Sequence, residues 1–267
     1  MANLHLNFRS DMLMRSVYPR VFLPDYNDWN DVPPPYRTLY FLHGYSGGAL
    51  ETATFTNFAL YAAVHGIAIV MIDGDNSFYV DDALPIYDEQ RNAYYSRYVG
   101  EEIVEVTRKL LPLSHRREDT FIAGISMGGY GALINGLRYS DTFSKIGMLS
   151  PALGMYPENG KMQPGSPLHR ESMLALLGDP EHYHGSYRDY EAAMRKALEK
   201  PQDMPRLFLA CGTEDPLVYQ AGRDFAHRMQ AEGAPMTYYE AQGGHDHVFW
   251  KHAMKPLCEF LTAKGGK

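Results

Sequence analysis

The chain of 267 residues holds two cysteines, Cys211 and Cys258, too few for a disulfide framework or a thiolate metal cluster. Their neighbours are apolar: Cys211 closes the run Arg206-Leu207-Phe208-Leu209-Ala210, and Cys258 sits among Leu257, Phe260 and Leu261. That is the setting of packing residues, not of reactive thiols. No apolar run approaches the roughly 18 residues that a membrane span requires. The N-terminal Met1-Ala2-Asn3-Leu4-His5-Leu6-Asn7-Phe8 lacks a basic stretch followed by an apolar core, so the expectation is a soluble, cytoplasmic protein with no membrane partner. Positive charge is scarce as well. With 25 Lys and Arg against 32 Asp and Glu, a net charge of −7 and no basic stripe beyond Arg116-Arg117, a nucleic-acid partner is not expected.

Repeats and low-complexity segments are absent, and Pro33-Pro34-Pro35 reads as a stiff loop, not a linker between domains. A single domain over 1–267 is therefore expected, with 45% hydrophobic residues to build its core. Metal sites and cofactors are not expected either. Asp73-Gly74-Asp75, Asp81-Asp82 and Glu101-Glu102 lack the spacing of a calcium loop, and His182-Tyr183-His184 is too isolated for zinc.

What the chain does contain is Gly124-Ile125-Ser126-Met127-Gly128, placed between the apolar run Thr120-Phe121-Ile122-Ala123 and a helix-compatible Gly129-Tyr130-Gly131-Ala132-Leu133-Ile134. A Gly-x-Ser-x-Gly at a strand-to-helix turn lifts a serine hydroxyl above the end of a sheet, in a bend too tight for Cβ atoms on either side. A serine hydroxyl needs a base to take its proton and a carboxylate to orient that base, in the chain order Ser, acid, His. Arg206-Leu207-Phe208-Leu209-Ala210-Cys211 reads as a buried strand running into Gly212-Thr213-Glu214-Asp215-Pro216, which nominates Asp215. After a β-rich Met236-Thr237-Tyr238-Tyr239-Glu240, the glycine-hinged Gln242-Gly243-Gly244-His245-Asp246-His247 nominates His245. The amide of Met127, next to the serine, and that of Tyr45, in the loop Leu42-His43-Gly44-Tyr45-Ser46-Gly47-Gly48, are the expected oxyanion hole.

Further along, expected strands at 4–8, 17–23, 38–42, 67–72, 121–125, 145–149, 206–210 and 236–239 alternate with helical patterns at 50–65, 94–111, 129–138, 187–200, 219–232 and 249–263. The alternation predicts a mostly parallel central sheet with helices on both faces and antiparallel N-terminal edge strands, the α/β-hydrolase arrangement. Tyr45, Ser126, Asp215 and His245 each follow an expected strand, where open α/β sheets bind ligands.

These four segments resemble the tributyrin esterase branch of the esterase D family, which includes S-formylglutathione hydrolases and carbohydrate acyl esterases. The resemblance rests on Leu42-His43-Gly44-Tyr45-Ser46-Gly47-Gly48, Gly124-Ile125-Ser126-Met127-Gly128-Gly129, Gly212-Thr213-Glu214-Asp215 and Gly243-Gly244-His245-Asp246-His247-Val248-Phe249-Trp250. It implies Ser126 as nucleophile, Asp215 as acid, His245 as base, and the Tyr45 and Met127 amides as oxyanion hole, with no metal or cofactor. It also implies a small-molecule ester substrate and allows a homo-oligomer. Two departures stand out: His247 occupies a position where the family often has an aromatic, and Ser46-Gly47 replaces the Cys-Thr usual in S-formylglutathione hydrolases, which argues against that narrower identity.

The expected activity is hydrolysis of short-chain acyl esters through an acyl-enzyme. The alternatives are a carbohydrate acyl esterase, an S-formylglutathione hydrolase-like thioesterase, acyl transfer by the same intermediate, and a catalytically silent binding protein on the same fold. Ser46, Phe78 and Tyr79 are the expected substrate contacts, the last two from the loop Asp73-Gly74-Asp75-Asn76-Ser77-Phe78-Tyr79. A small cap within 151–205 is the other expected pocket wall, the bland reading of that stretch being a crossover helix and its lead-in. No long amphipathic lid of the interfacial lipase kind is evident.

Overall fold

Six strands lie side by side and parallel in the main sheet of the computed structural model, which describes residues 2–24, 32–81, 93–158, 161–162, 166 and 168–263. In chain order the strands are β1 (Ala2–His5), β2 (Phe8–Ser10), β3 (Arg15–Val17), β4 (Arg20–Leu23), β5 (Arg37–Leu42), β6 (Ile67–Ile72), β7 (Thr120–Ile125), β8 (Lys145–Leu149), β9 (Arg206–Gly212) and β10 (Met236–Ala241). The main sheet has eight strands in the order β1-β4-β6-β5-β7-β8-β9-β10. Of these only β4 runs against its neighbours, pairing antiparallel with β1 on one side and β6 on the other. This is the α/β-hydrolase fold.

The helices are α1 (Ala49–Thr56), α2 (Phe58–His65), α3 (Tyr95–Arg97), α4 (Ile103–Leu110), α5 (Met127–Arg138), α6 (Arg170–Leu177), α7 (Pro180–Tyr183), α8 (Tyr190–Leu198), α9 (Tyr219–Ala231) and α10 (His247–Thr262). They cover the sheet on both faces because the strands are apolar on both. In β5, successive side chains alternate: Tyr40 and Leu42 join one core with Leu133, Ile134 and Phe225, while Leu39 and Phe41 join the other with Phe58, Phe249 and Leu257. The last turn of α10 is tied to the sheet by buried Lys145, whose ammonium donates to the carbonyls of Phe260, Leu261 and Ala263 at 3.0, 2.8 and 2.9 Å. Those are carbonyls that the helix end leaves without an internal partner.

Three expectations are corrected in detail. The N-terminal β-rich segments form four strands, and β2 and β3 pair only with each other as a separate ribbon. The helical pattern at 50–65 is two helices, because Asn57 takes a left-handed φ of 54° that ends α1 and starts α2. The pattern at 94–111 is interrupted by a π-helical turn, Tyr98–Glu102, between α3 and α4. The stretch 151–205 carries α6, α7 and the crossover helix α8, which packs on α5. Part of that stretch, and Asp82 of the acidic pair Asp81-Asp82, fall outside the described residues.

Candidate active site

Ser126 stands between β7 and α5 with φ 55° and ψ −114°, a strained conformation for a residue with a side chain. The glycines on either side explain how the bend closes. A Cβ on Gly124 would lie 2.3 Å from the Gly128 carbonyl oxygen, and one on Gly128 would lie 2.2 Å from that of Leu42. Both approaches are to backbone, so neither can be relieved by a rotamer change. The Gly128→Ala variant is expected to lose at least about 3 kcal/mol of stability, read as a thermal midpoint lowered by roughly 10 °C. A midpoint equal to that of the parent would overturn this account of the turn.

The structure brings Ser126, His245 and Asp215 together although they lie on three loops. Ser126 Oγ is 2.9 Å from His245 Nε2, and His245 Nδ1 is 2.6 Å from Asp215 Oδ2. A buried carboxylate can only accept, so Nδ1 carries the proton and Nε2 is left to accept from the serine hydroxyl. Asp215 is fixed by its other oxygen, which accepts from the amides of Leu217 and Val218 at 2.9 and 3.2 Å. Its side chain is 0% exposed, against 17% for His245.

The two loops that carry the acid and the imidazole are laced together. Thr213 and Glu214 amides donate to the carbonyls of Ala241 and Gly243, both at 2.9 Å. A Cβ on Gly212 would fall 2.2 Å from the Gly243 oxygen, so this approach also requires glycine. Just beyond, Asp246 caps α10 by accepting from Val248 and Phe249 amides at 2.9 and 3.0 Å. The cap sets the direction of the helix that presents His247 and Trp250, and Trp250 meets the His245 ring edge to face at 5.1 Å.

The Gly44-Tyr45 turn after β5 lies over the serine: a Cβ on Gly44 would sit 3.5 Å from that of Ser126. Met127 opens α5, so its N–H has no carbonyl of the helix one turn before it to donate to. The first of these turns is braced from beneath by a residue to which sequence reasoning assigned no role. Buried His43 hydrogen-bonds the Gly44 carbonyl through Nδ1 at 2.7 Å, and its Nε2 accepts from the Gly74 amide at 3.0 Å. Asn76 adds a second brace, its side-chain oxygen accepting from the Ser46 amide at 2.7 Å. A histidine directly after a strand and before the glycine of the turn was the available signal.

A cavity of about 530 Å³ opens in front of Ser126. Gly44, Tyr45, Ser46, Phe78 and Met127 line it on one side, and Phe55, His245, His247 and Trp250 line it on another. Ala152, Met155 and Leu168 reach it from the 151–205 stretch, and Glu51 supplies a carboxylate. Of the three expected substrate contacts, Ser46 and Phe78 are on the cavity wall. Tyr79 is not: it is fully buried behind the loop, its hydroxyl donating to the His43 carbonyl at 3.1 Å and its ring filling the space left by Gly74 and Gly131. Burial holds its phenol well above the ordinary tyrosine range. Burial likewise pushes up the thiols of Cys211 and Cys258. A second cavity of about 530 Å³, between α5 and α8, contains none of the expected site residues.

The fold is that of the α/β-hydrolase class, and the Ser126, His245 and Asp215 constellation at its rim is the candidate active site. More narrowly, the chain belongs to the Esterase family, which matches residues 10–261. It is 34% identical over 269 residues to an acetyl esterase of Caldicellulosiruptor saccharolyticus, covering 98% of both chains. It is similar in structure to FphF, a fluorophosphonate-binding serine hydrolase of Staphylococcus aureus solved with substrate bound, with a TM-score of 0.82, 28% identity and 98% and 99% of the two chains covered. An S-formylglutathione hydrolase of the same organism superposes with a TM-score of 0.81 at 28% identity over 98% and 99% of the chains. The protein is a serine esterase that acts on carboxylic esters. Among the described residues, no helix is long and apolar enough to cross a membrane.

Proposed function

We propose that Ser126, His245 and Asp215 form the catalytic triad of a short-chain acyl esterase, with the Tyr45 and Met127 amides as its oxyanion hole. The 2.9 Å approach of His245 Nε2 to Ser126 Oγ, backed by the 2.6 Å bond to Asp215, carries the reading. Nε2 takes the hydroxyl proton as Oγ attacks the ester carbonyl, and the two amides hold the charge that develops on oxygen. The tetrahedral intermediate collapses when the same imidazole returns the proton to the departing alcohol, leaving Ser126 acylated. Water then repeats the sequence and releases the acid.

The preference for short acyl groups is supported by the name of the acetyl esterase relative. It is also supported by a cavity of about 530 Å³ that acyl and alcohol moieties must share. We read the described part of 151–205, through Ala152, Met155 and Leu168, as a small cap on a single domain.

The test is a fluorophosphonate probe followed by peptide mapping, together with rates on 4-nitrophenyl acetate, butyrate and octanoate. The expected result is a single label on Ser126 and a rate on octanoate at least tenfold below that on acetate. A label elsewhere overturns the assignment of the nucleophile, and equal rates overturn the chain-length preference.

A further inference from the structure

The cavity wall carries one charge that the hydrolytic steps do not use. Glu51, in the first turn of α1, lines the cavity. Its Oε2 lies 3.8 Å from where a Cβ on Gly47 would stand, so its carboxylate rests against the turn that carries Tyr45 and Ser46. No hydrogen bond or ion pair engages the Glu51 carboxylate among the described residues. The described residues lining the cavity include no lysine or arginine, and their other titratable groups are the His245 and His247 imidazoles and the Tyr45 phenol. A substrate entering this space therefore meets an uncompensated negative charge at the wall.

We infer that Glu51 is a specificity-determining residue that selects by charge among esters whose alcohol half reaches this wall of the cavity. This rests on the proposed Ser126 chemistry in the same cavity. A cationic leaving group gains Coulomb attraction to the carboxylate, a neutral hydroxyl-bearing one can donate hydrogen bonds to it, and an anionic one is repelled. Glu51 is exposed, so water and salt screen the effect, and an interaction of the size seen for exposed charge pairs amounts to roughly threefold in rate for each unit of substrate charge. Structurally, an acidic residue in a first helical turn also interacts favourably with the helix dipole. That role would affect stability and leave the ranking of substrates untouched.

Three acetate esters of nearly equal shape make the test: acetylcholine, its uncharged isostere 3,3-dimethylbutyl acetate, and the anionic 2-acetoxyethanesulfonate. The parent protein is expected to rank them by kcat/KM as cationic, neutral, anionic, with a spread of about tenfold from first to last that contracts in 0.5 M salt. Glu51→Gln is expected to reduce the spread to within about twofold, and Glu51→Lys to reverse the order. Because the protein's net charge of −7 also attracts cations, Glu105→Gln, an exposed change on α4 outside the cavity, serves as the control and is expected to keep the spread. If Glu51→Gln keeps the parental ratios, the inference fails while the Ser126 reading stands. If the parent hydrolyses none of the three and takes no fluorophosphonate label, it is the Ser126 reading that fails.

Discussion

Ser126→Ala is expected to lower kcat for 4-nitrophenyl acetate by about 10⁶-fold, the loss seen when the serine of such a triad is removed, equivalent to about 8 kcal/mol of transition-state stabilisation. The size follows from what remains. Without Oγ no acyl-enzyme can form, and any residual rate comes from water attacking a carbonyl held by the two oxyanion amides. The fold should be indifferent to the change. The backbone strain at φ 55° is present with serine or alanine alike, and Oγ makes its hydrogen bond to His245, not to a structural group. A thermal midpoint within about 2 °C of the parent is expected, and that midpoint separates loss of the nucleophile from loss of the structure. A fall of less than 100-fold with the fold intact would remove Ser126 from the mechanism.

The parts of this site that were legible in the sequence are those that chain-local chemistry dictates. The turn at Ser126 is announced by glycines because both neighbouring Cβ positions are occupied by backbone, and a steric requirement of that kind leaves its mark wherever it occurs. Asp215 and His245 were legible through position: each follows a recognisable strand by three or four residues, and parallel strands deliver their carboxyl ends to one rim. Five of the parallel strands, β5 to β9, were found to within a residue or two because strands buried on both faces read as unbroken apolar runs; β10, half-exposed at the sheet edge, was legible through its β-branched and aromatic residues.

What was not legible depends on contacts between distant segments. Tyr79 and Phe78 are adjacent, both at positive φ, and nothing local says which enters the cavity. The answer lies in Gly131, inside α5, where a Cβ would stand 2.6 Å from the Tyr79 ring. A glycine tolerated in a helix interior, together with Gly74, where a Cβ would stand 2.0 Å from the same ring, was therefore the mark of the buried phenol. The break at Asn57 was hidden for a different reason, since the apolar spacing runs straight through it. Asparagine is one of the few residues to accept the left-handed region, so Thr56-Asn57 held a weak signal that periodicity outweighed. The role of His247 and Trp250 in the cavity wall follows from three-residue spacing on α10, which places both on one face, but only the orientation of that helix shows that the face looks onto Ser126.

Asp215→Asn is expected to lower kcat by about 10⁴-fold while leaving the fold in place. The two oxygens of Asp215 have different duties, and this decides how asparagine would sit. Oδ1 accepts from the Leu217 and Val218 amides at 2.9 and 3.2 Å, so the amide oxygen of asparagine is held there and its NH₂ group is turned toward His245. An NH₂ facing Nδ1 can only donate. Nδ1 must then be the bare nitrogen, and the ring proton moves to Nε2, 2.9 Å from Ser126 Oγ. In that tautomer the imidazole offers the serine a donor where an acceptor is needed, and proton transfer from Oγ is blocked although every heavy atom keeps its place. Two readouts separate this from simple disruption. The thermal midpoint should move little, because the backbone amides keep their acceptor, and fluorophosphonate labelling of Ser126 should slow in parallel with kcat, because it needs the same base. If the variant keeps more than a tenth of the parental kcat, Asp215 does not orient His245 and the acid of this site has to be sought elsewhere, with Glu214 on the same turn the first to try.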